Sequence, residues 1–337
     1  MVQIEYVKKL FSAFKSNDKE GFLRTAEEII EDEHKKKHHA LAEELQAIIN
    51  RRSTNAASGM ALLASQPEIS IDQALLFQRI YPENQLSRVI LSPENKEKID
   101  QIIREFFRWD VFESNGAYPI RTVLFYGPPG CGKTITAKAI ATELEVPLLY
   151  VRFDAIVSSH LGETASNIRK VFDFASKDSY IILFDEFDAI ARSRNDESEN
   201  GEIKRVVSTF LQLIDNFKGH SIIIAATNFE QSLDYAIWRR FDSTLRFDMP
   251  SMLDRITLSN LKLRRYTGSD IDMDEFVAKM DKFTFDDVER AANEVIKKCL
   301  LDVRNTYTQK DVENALDYQK RIVSLRRTQY EPEGKAL

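Results

Sequence analysis

Apolar residues in the first fifty positions recur at helical rather than strand spacing. Ile4, Val7, Leu10, Phe11 and Phe14 make one stripe, and Phe22, Leu23, Ala26, Ile29 and Ile30 make a second. Between them Ser16-Asn17-Asp18 breaks the pattern, and Asn17 with Glu20 forms a capping box that restarts it. A further stripe runs through Leu41, Leu45, Ile48 and Ile49. Residues 1–52 therefore read as a helical hairpin or small bundle. Such a unit serves either as a recruitment module for a partner or as a layer packed on the domain that follows.

Residues 53–85 read as a linker and approach segment, opening on the small polar run after Arg51-Arg52. Within it Leu75, Leu76 and Ile80 suggest a short helix, and Val89-Ile90-Leu91 just beyond it a short extended piece. Ile99, Ile102, Ile103, Phe106 and Phe107 predict an amphipathic helix across 94–112. The pattern then changes. Five near-continuous apolar runs, at 122–126, 148–151, 180–184, 221–225 and 244–247, alternate with helical stretches. That alternation predicts an α/β domain over 86–250 with a parallel sheet covered on both faces. After Pro250 no strand is expected. The stripe Phe285, Val288, Ala292, Val295, Ile296, Cys299 and a second one from Val312, Ala315 and Leu316 predict a helical domain over 251–330. Residues 331–337 read as a tail.

Composition narrows the class without naming a chemistry. A hydrophobic share of 43% and a charged share of 30% are ordinary for a soluble globular chain. No apolar run reaches the roughly 18 residues that span a bilayer. The opening Met1-Val2-Gln3-Ile4-Glu5 lacks the basic then apolar order of a signal peptide, so a cytoplasmic location is expected. The net charge of -6 argues against a nucleic-acid partner. Both cysteines, Cys131 and Cys299, are expected to be reduced and structural. His34 and His38 have the four-residue spacing of a zinc pair. Lys35, Lys36 and Lys37 beside them favour a solvated charged face instead.

The first predicted strand runs directly into Gly127-Pro128-Pro129-Gly130-Cys131-Gly132-Lys133-Thr134, and a predicted helix follows. This is the Walker A pattern in the context it needs. Glycines let backbone amides turn inward around phosphates, and the helix start adds partial positive charge. Lys133 would reach the β- and γ-phosphates of ATP, and Thr134 would offer its hydroxyl to Mg²⁺. A second apolar run ends in Asp185 and Glu186, the Walker B pattern, at the sheet edge where ligands of open α/β sheets collect. Asp185 would hold Mg²⁺, mainly through its water shell, and Glu186 would orient and deprotonate the attacking water. Ala225-Ala226-Thr227-Asn228 ends the next run, placing an uncharged amide where a polar sensor would hydrogen-bond that water or the γ-phosphate.

The order of these motifs, followed by Leu233-Asp234-Tyr235-Ala236-Ile237-Trp238-Arg239-Arg240-Phe241-Asp242, resembles the AAA ATPase family over about residues 86–319. The resemblance implies a P-loop NTPase sheet of strand order 5-1-4-3-2 with a helical lid. It also implies assembly of the chain with itself into a ring, usually hexameric, with ATP sites between neighbours. Arg239 and Arg240 would then be arginine fingers for the adjacent protomer's γ-phosphate. A fixed guanidinium charge there contributes on the order of 10³ to 10⁵ in rate. His160, Leu161 and Gly162 match the family's first pore loop, with histidine where polypeptide-threading members carry an aromatic residue. Thr284 to Arg290 stands where many relatives have small residues or a sensor arginine, and Arg290 lies one turn into the helix as a surface residue.

Two functions compete on these grounds. One is an ATPase that remodels or translocates a protein substrate chosen by its N-terminal helices. The other is an ATP-dependent oligomeric switch that presents those helices to a separate effector protein, which the histidine at 160 favours. Action on DNA is disfavoured by the acidic balance and by the lack of a basic stripe interleaved with aromatics.

Overall fold

A computed structural model describes residues 69–152, 156, 164–187, 200–233, 235–268 and 273–330, together with 6, 9, 21, 24, 25, 28–30 and 67. The chain divides into two compact units, 1–68 and 69–337. In the first, all the described residues except Pro67 are helical. Ile29 and Ile30 are buried, and Lys9 pairs with Glu28 at 3.7 Å, tying two helical segments together. The stripe at 41–49, the pair His34 and His38, and the tail 331–337 lie outside the described residues.

The second unit opens with α1 (Ile71–Leu76), whose start is fixed by a Ser70–Gln73 capping box, and β1 (Phe77–Ile80). Next come α2 (Pro93–Phe106), with Ser92 as N-cap and proline at its first turn, and α3 (Trp109–Ser114). The core alternates β2 (Thr122–Tyr126), α4 (Lys133–Glu143), β3 (Leu148–Val151), α5 (Thr164–Ala175), β4 (Ile181–Phe184), α6 (Asn200–Asn216) and β5 (Ile222–Thr227). A short α7 (Tyr235–Trp238) leads to β6 (Ser243–Arg246).

These strands form one sheet in the order β1-β3-β4-β5-β2-β6. Five are parallel and, read from β6, stand in the expected 5-1-4-3-2 order. Alternate residues of each strand enter separate cores. Leu124, Ile182, Phe184 and Ile223 pack with α5 and α6, while Val123, Phe125, Leu183 and Ile224 pack with α2 and α4. Burial of both faces is why β4, at the middle of the sheet, is apolar at every position, whereas the outer β6, Ser-Thr-Leu-Arg, is not.

Three local expectations are corrected. Leu75, Leu76 and Ile80 do not share a helix: α1 stops at Leu76, and β1 joins the sheet antiparallel to β3. The sheet thus begins upstream of residue 86. Pairing with β3 and the packing of Phe77 on Phe174, with ring centroids 4.8 Å apart, are long-range contacts that local periodicity does not register. The helix expected across 94–112 is broken at Phe107 and Arg108, where the chain turns to stack Trp109 on His220 at 4.9 Å. Beyond Pro250 there is also a small parallel pair, β7 (Thr267–Gly268) with β8 (Thr306–Tyr307).

The remaining helices are α8 (Met252–Leu263), α9 (Met273–Ala278), α10 (Phe285–Leu301) and α11 (Gln309–Tyr330). They enclose a third core that includes Leu258, Phe276, Val288, Val295 and Leu316. Cys299 is buried in it as a small apolar residue.

Candidate nucleotide site

The loop between β2 and α4 takes its shape from glycines. Gly127, Gly130 and Gly132 have φ of 132°, 72° and 100°, conformations that side chains resist. A Cβ at Gly127 would lie 2.1 Å from the Phe247 carbonyl oxygen, so only glycine fits. Gly132 is the N-cap of α4 and supplies no side-chain acceptor, whereas Ser70, Ser92, Ser251 and Thr284 cap other helices with a hydroxyl. The first-turn amides of α4 are therefore free of a side-chain cap and suited to an anion.

Lys133 is buried inside this loop, its ammonium donating to the carbonyls of Gly127 at 2.7 Å and Pro128 at 2.8 Å. Thr134 donates its hydroxyl to Asp185 Oδ2 at 2.7 Å. The other Asp185 oxygen accepts the Glu186 backbone N–H at 3.0 Å. Glu186 has φ of 54°, a turn that lifts the exposed carboxyl from the end of β4, and the next N–H, from Phe187, returns to the Ala226 carbonyl at 2.9 Å. Thr227 lies opposite Tyr126 in the sheet, so Asn228 follows β5 at the same edge from which the loop departs. Lys133, Thr134, Asp185, Glu186 and Asn228 thus converge on the carboxyl edge. Pro129 and Gly130 form the exposed rim.

Cys131 is buried beneath that rim, with its sulfur 3.8 Å from Met249 Sδ. Burial pushes its thiol pKa up to about 11, against an opposing pull from Lys133. This is a packed thiol rather than a reactive one.

Arg239 and Arg240 stand at the other end of the strands. The Arg240 carbonyl accepts from the hydroxyl of Thr122, the first residue of β2, at 3.1 Å. Asp242 accepts from the N–H groups of Arg121 and Thr122 and from the Thr122 hydroxyl, at 3.0, 3.0 and 2.9 Å. Both arginines line a cleft with Arg121, Thr122, Asp215 and Asp242. Arg240 is ion-paired to Asp215. The exposed Arg239 guanidinium has no ion pair among the described residues. Four residue steps of β2, on the order of 13 Å, separate this cleft from the chain's own phosphate loop. Sequence reading identified neither Asp215 nor Asp242 as a support, since each acts through a contact remote in sequence.

The profile of the ATPase family associated with various cellular activities (AAA) matches residues 123–249. An uncharacterized AAA family ATPase of Sinorhizobium fredii is 38% identical over 326 residues, covering 95% of this chain and 96% of the relative. The chain belongs to the AAA ATPase family. It hydrolyses ATP. A putative 26S proteasome regulatory subunit homolog of Methanocaldococcus jannaschii is 31% identical, covering 73% of this AAA chain and 66% of the relative. The proteasome-activating nucleotidase of Pyrococcus horikoshii is 33% identical, with shares of 62% and 54%. The chain spans less than two thirds of these two relatives.

Two further features bear on the AAA site. Its lid reaches the phosphate loop, since the Asp286 N–H donates to the Gly130 carbonyl at 3.1 Å. Arg290 is paired with Asp286 at 2.9 Å. No described helix is long and apolar enough to cross a membrane. His160, Leu161 and Gly162 lie outside the described residues.

Proposed function

We propose that this ATPase assembles with copies of itself into a ring, of hexameric size, and uses hydrolysis to remodel or translocate a protein substrate. The observation that carries assembly is the separation of Arg239 and Arg240 from their own phosphate loop. A basic cleft with three arginines against two aspartates is suited to an anion held by a neighbour. Head-to-tail contact between copies would bring one protomer's amino-edge arginines to the next protomer's carboxyl edge.

In this reading Lys133 and the loop amides bind the β- and γ-phosphates. The Thr134 hydroxyl and Asp185 carboxylate are hard oxygen donors side by side, a set that fits Mg²⁺ with its retained waters. That ion, when bound, neutralises phosphate charge. Glu186 takes a proton from water as the water oxygen attacks the γ-phosphorus. The bond to the β,γ-bridging oxygen breaks, and ADP leaves. Asn228 orients the water, and the neighbour's Arg239 and Arg240 stabilise charge on the transferring group.

A protein load is supported by relatives whose names refer to the proteasome. The helices of 1–52 select it, and the loop around His160, Leu161 and Gly162 grips it. Glu186→Gln is the test: the variant should keep ATP binding and lose turnover, and it should retain the load for identification. Unchanged turnover would remove Glu186 from the mechanism. The second reading, a switch for an effector protein, is favoured by histidine at 160. His160→Ala separates the two, because loss of substrate processing with assembly intact supports translocation and retained output supports the switch.

A further inference from the structure

Arg239 and Arg240 sit in a turn that β2 holds from both sides. Upstream, the Trp238 ring meets Tyr126 edge to face with centroids 5.0 Å apart, and Tyr126 is the last residue of β2 before Gly127. Downstream, Asp242 closes a cluster with Thr122, the first residue of the same strand. The Asp242 N–H donates to the Thr122 hydroxyl oxygen at 2.9 Å. The single hydroxyl proton of Thr122 faces two acceptors, Asp242 Oδ2 at 2.9 Å and the Arg240 carbonyl at 3.1 Å. Within the turn itself, the N–H groups of Arg239 and Phe241 reach carbonyls at 3.3 Å, beyond the usual range for such bonds.

The strand does not need this hydroxyl. Val123, Leu124 and Phe125, the next residues of β2, are apolar and fully buried, and Thr122 is buried beside them. Valine, with the same branched shape, would suit the strand start. Asp242 already accepts the backbone N–H groups of Arg121 and Thr122, at 3.0 Å each, so the strand start is bonded without the hydroxyl. What the hydroxyl adds is a bond to the backbone of a residue that carries a guanidinium.

We propose that Thr122 is a positioning residue for ATP hydrolysis at a neighbouring protomer's site. Its hydroxyl, backed by Asp242, fixes the backbone of Arg240 and with it the direction of the arginine pair. Thr122 touches neither nucleotide nor reacting atoms and acts through Arg239 and Arg240. The inference rests on the reading that these arginines complete a neighbour's site. Since β2 runs on into Gly127, the same clamp ties the arginines that a protomer gives to the strand bearing its own phosphate loop.

The test is ATP turnover by Thr122→Val, Thr122→Ser and Asp242→Asn, each alone and after subunit exchange with an equal amount of Glu186→Gln protein. Thermal melts establish folding. Thr122→Val alone should lose about tenfold or more in kcat, since a small misplacement costs up to about 10². Its ADP affinity, set by the chain's own phosphate loop, should be unchanged. Thr122→Ser, which keeps the hydroxyl, should restore most of the rate. Exchange with Glu186→Gln should recover Thr122→Val, because the partner gives well-placed arginines to sites with an intact Glu186. Asp242→Asn keeps the shape and one acceptor oxygen, and should show the same pattern to a smaller degree. Should Thr122→Val melt early, a parent-like rate in Asp242→Asn overturns the inference by itself. Full turnover by folded Thr122→Val would overturn it as well. So would a loss joined by weaker ADP binding, which would mean a damaged strand rather than a displaced arginine. Arg239→Ala is the control. If exchange does not recover it, the between-protomer reading fails and takes this inference with it; if it recovers while Thr122→Val does not, this inference fails alone.

Discussion

The Thr134 hydroxyl donates to Asp185 Oδ2 at 2.7 Å, joining the start of α4 to the end of β4 across 51 residues of sequence. One loop supplies the amides proposed to bind phosphate and the other supplies the carboxylate, and this bond sets the two in register. Thr134→Val keeps the branched shape and removes the donor. Turnover should fall by about 10² or more, as for loss of one preorganised polar group. ATP binding without added Mg²⁺ should change little. Steady-state rates across a Mg²⁺ titration check this, and a curve that overlays that of the parent protein would refute it.

The arginines make a different kind of prediction, because the partner proposed for them is another chain. Arg239→Ala should lower turnover on the order of 10³. Glu186→Gln protein is expected to be inactive for its own reason. Mixed in equal amounts after subunit exchange, the two should recover activity. A site between an Arg239→Ala protomer's intact Glu186 and a Glu186→Gln protomer's intact Arg239 is complete, as about a quarter of head-to-tail interfaces would be. Lack of recovery despite demonstrated exchange would place both groups in one chain's site.

How much of this was legible beforehand depends on how local each cause is. The phosphate loop is written in the sequence because backbone conformation demands it: φ of 132° at Gly127 and the nearby Phe247 carbonyl leave no alternative residue. The inner parallel strands were legible because burial on both faces makes them largely apolar. β1 was not, since Gln78 and Arg79 break the apolar run, and pairing with β3 decides its conformation. The amino-edge position of Arg239 and Arg240 and the contact between Asp286 and Gly130 come from topology. No spacing in the sequence encodes either.

The lid carries an ion pair whose pH dependence can be worked out. Arg304, just after α10, donates to both oxygens of Asp311 at 2.8 and 2.7 Å, and the Thr308 N–H and hydroxyl each add a bond at 2.7 Å. Asp311 is buried in the first turn of α11, so this cluster fixes the turn that joins the two helices. The Arg304 guanidinium above all, and then Thr308, hold the Asp311 carboxyl well below the usual carboxylate range. A depressed folded-state pKa means stability that is fully present above the ordinary value of about 3.9 and lost as pH falls toward the depressed one. Asp311→Asn does not titrate and should melt below the parent protein at pH 7. The gap should hold down to about pH 4 and close progressively below it. Thermal melts at constant ionic strength measure it, and a gap unchanged down to pH 2 would show that the carboxylate's charge plays no part in holding the lid together.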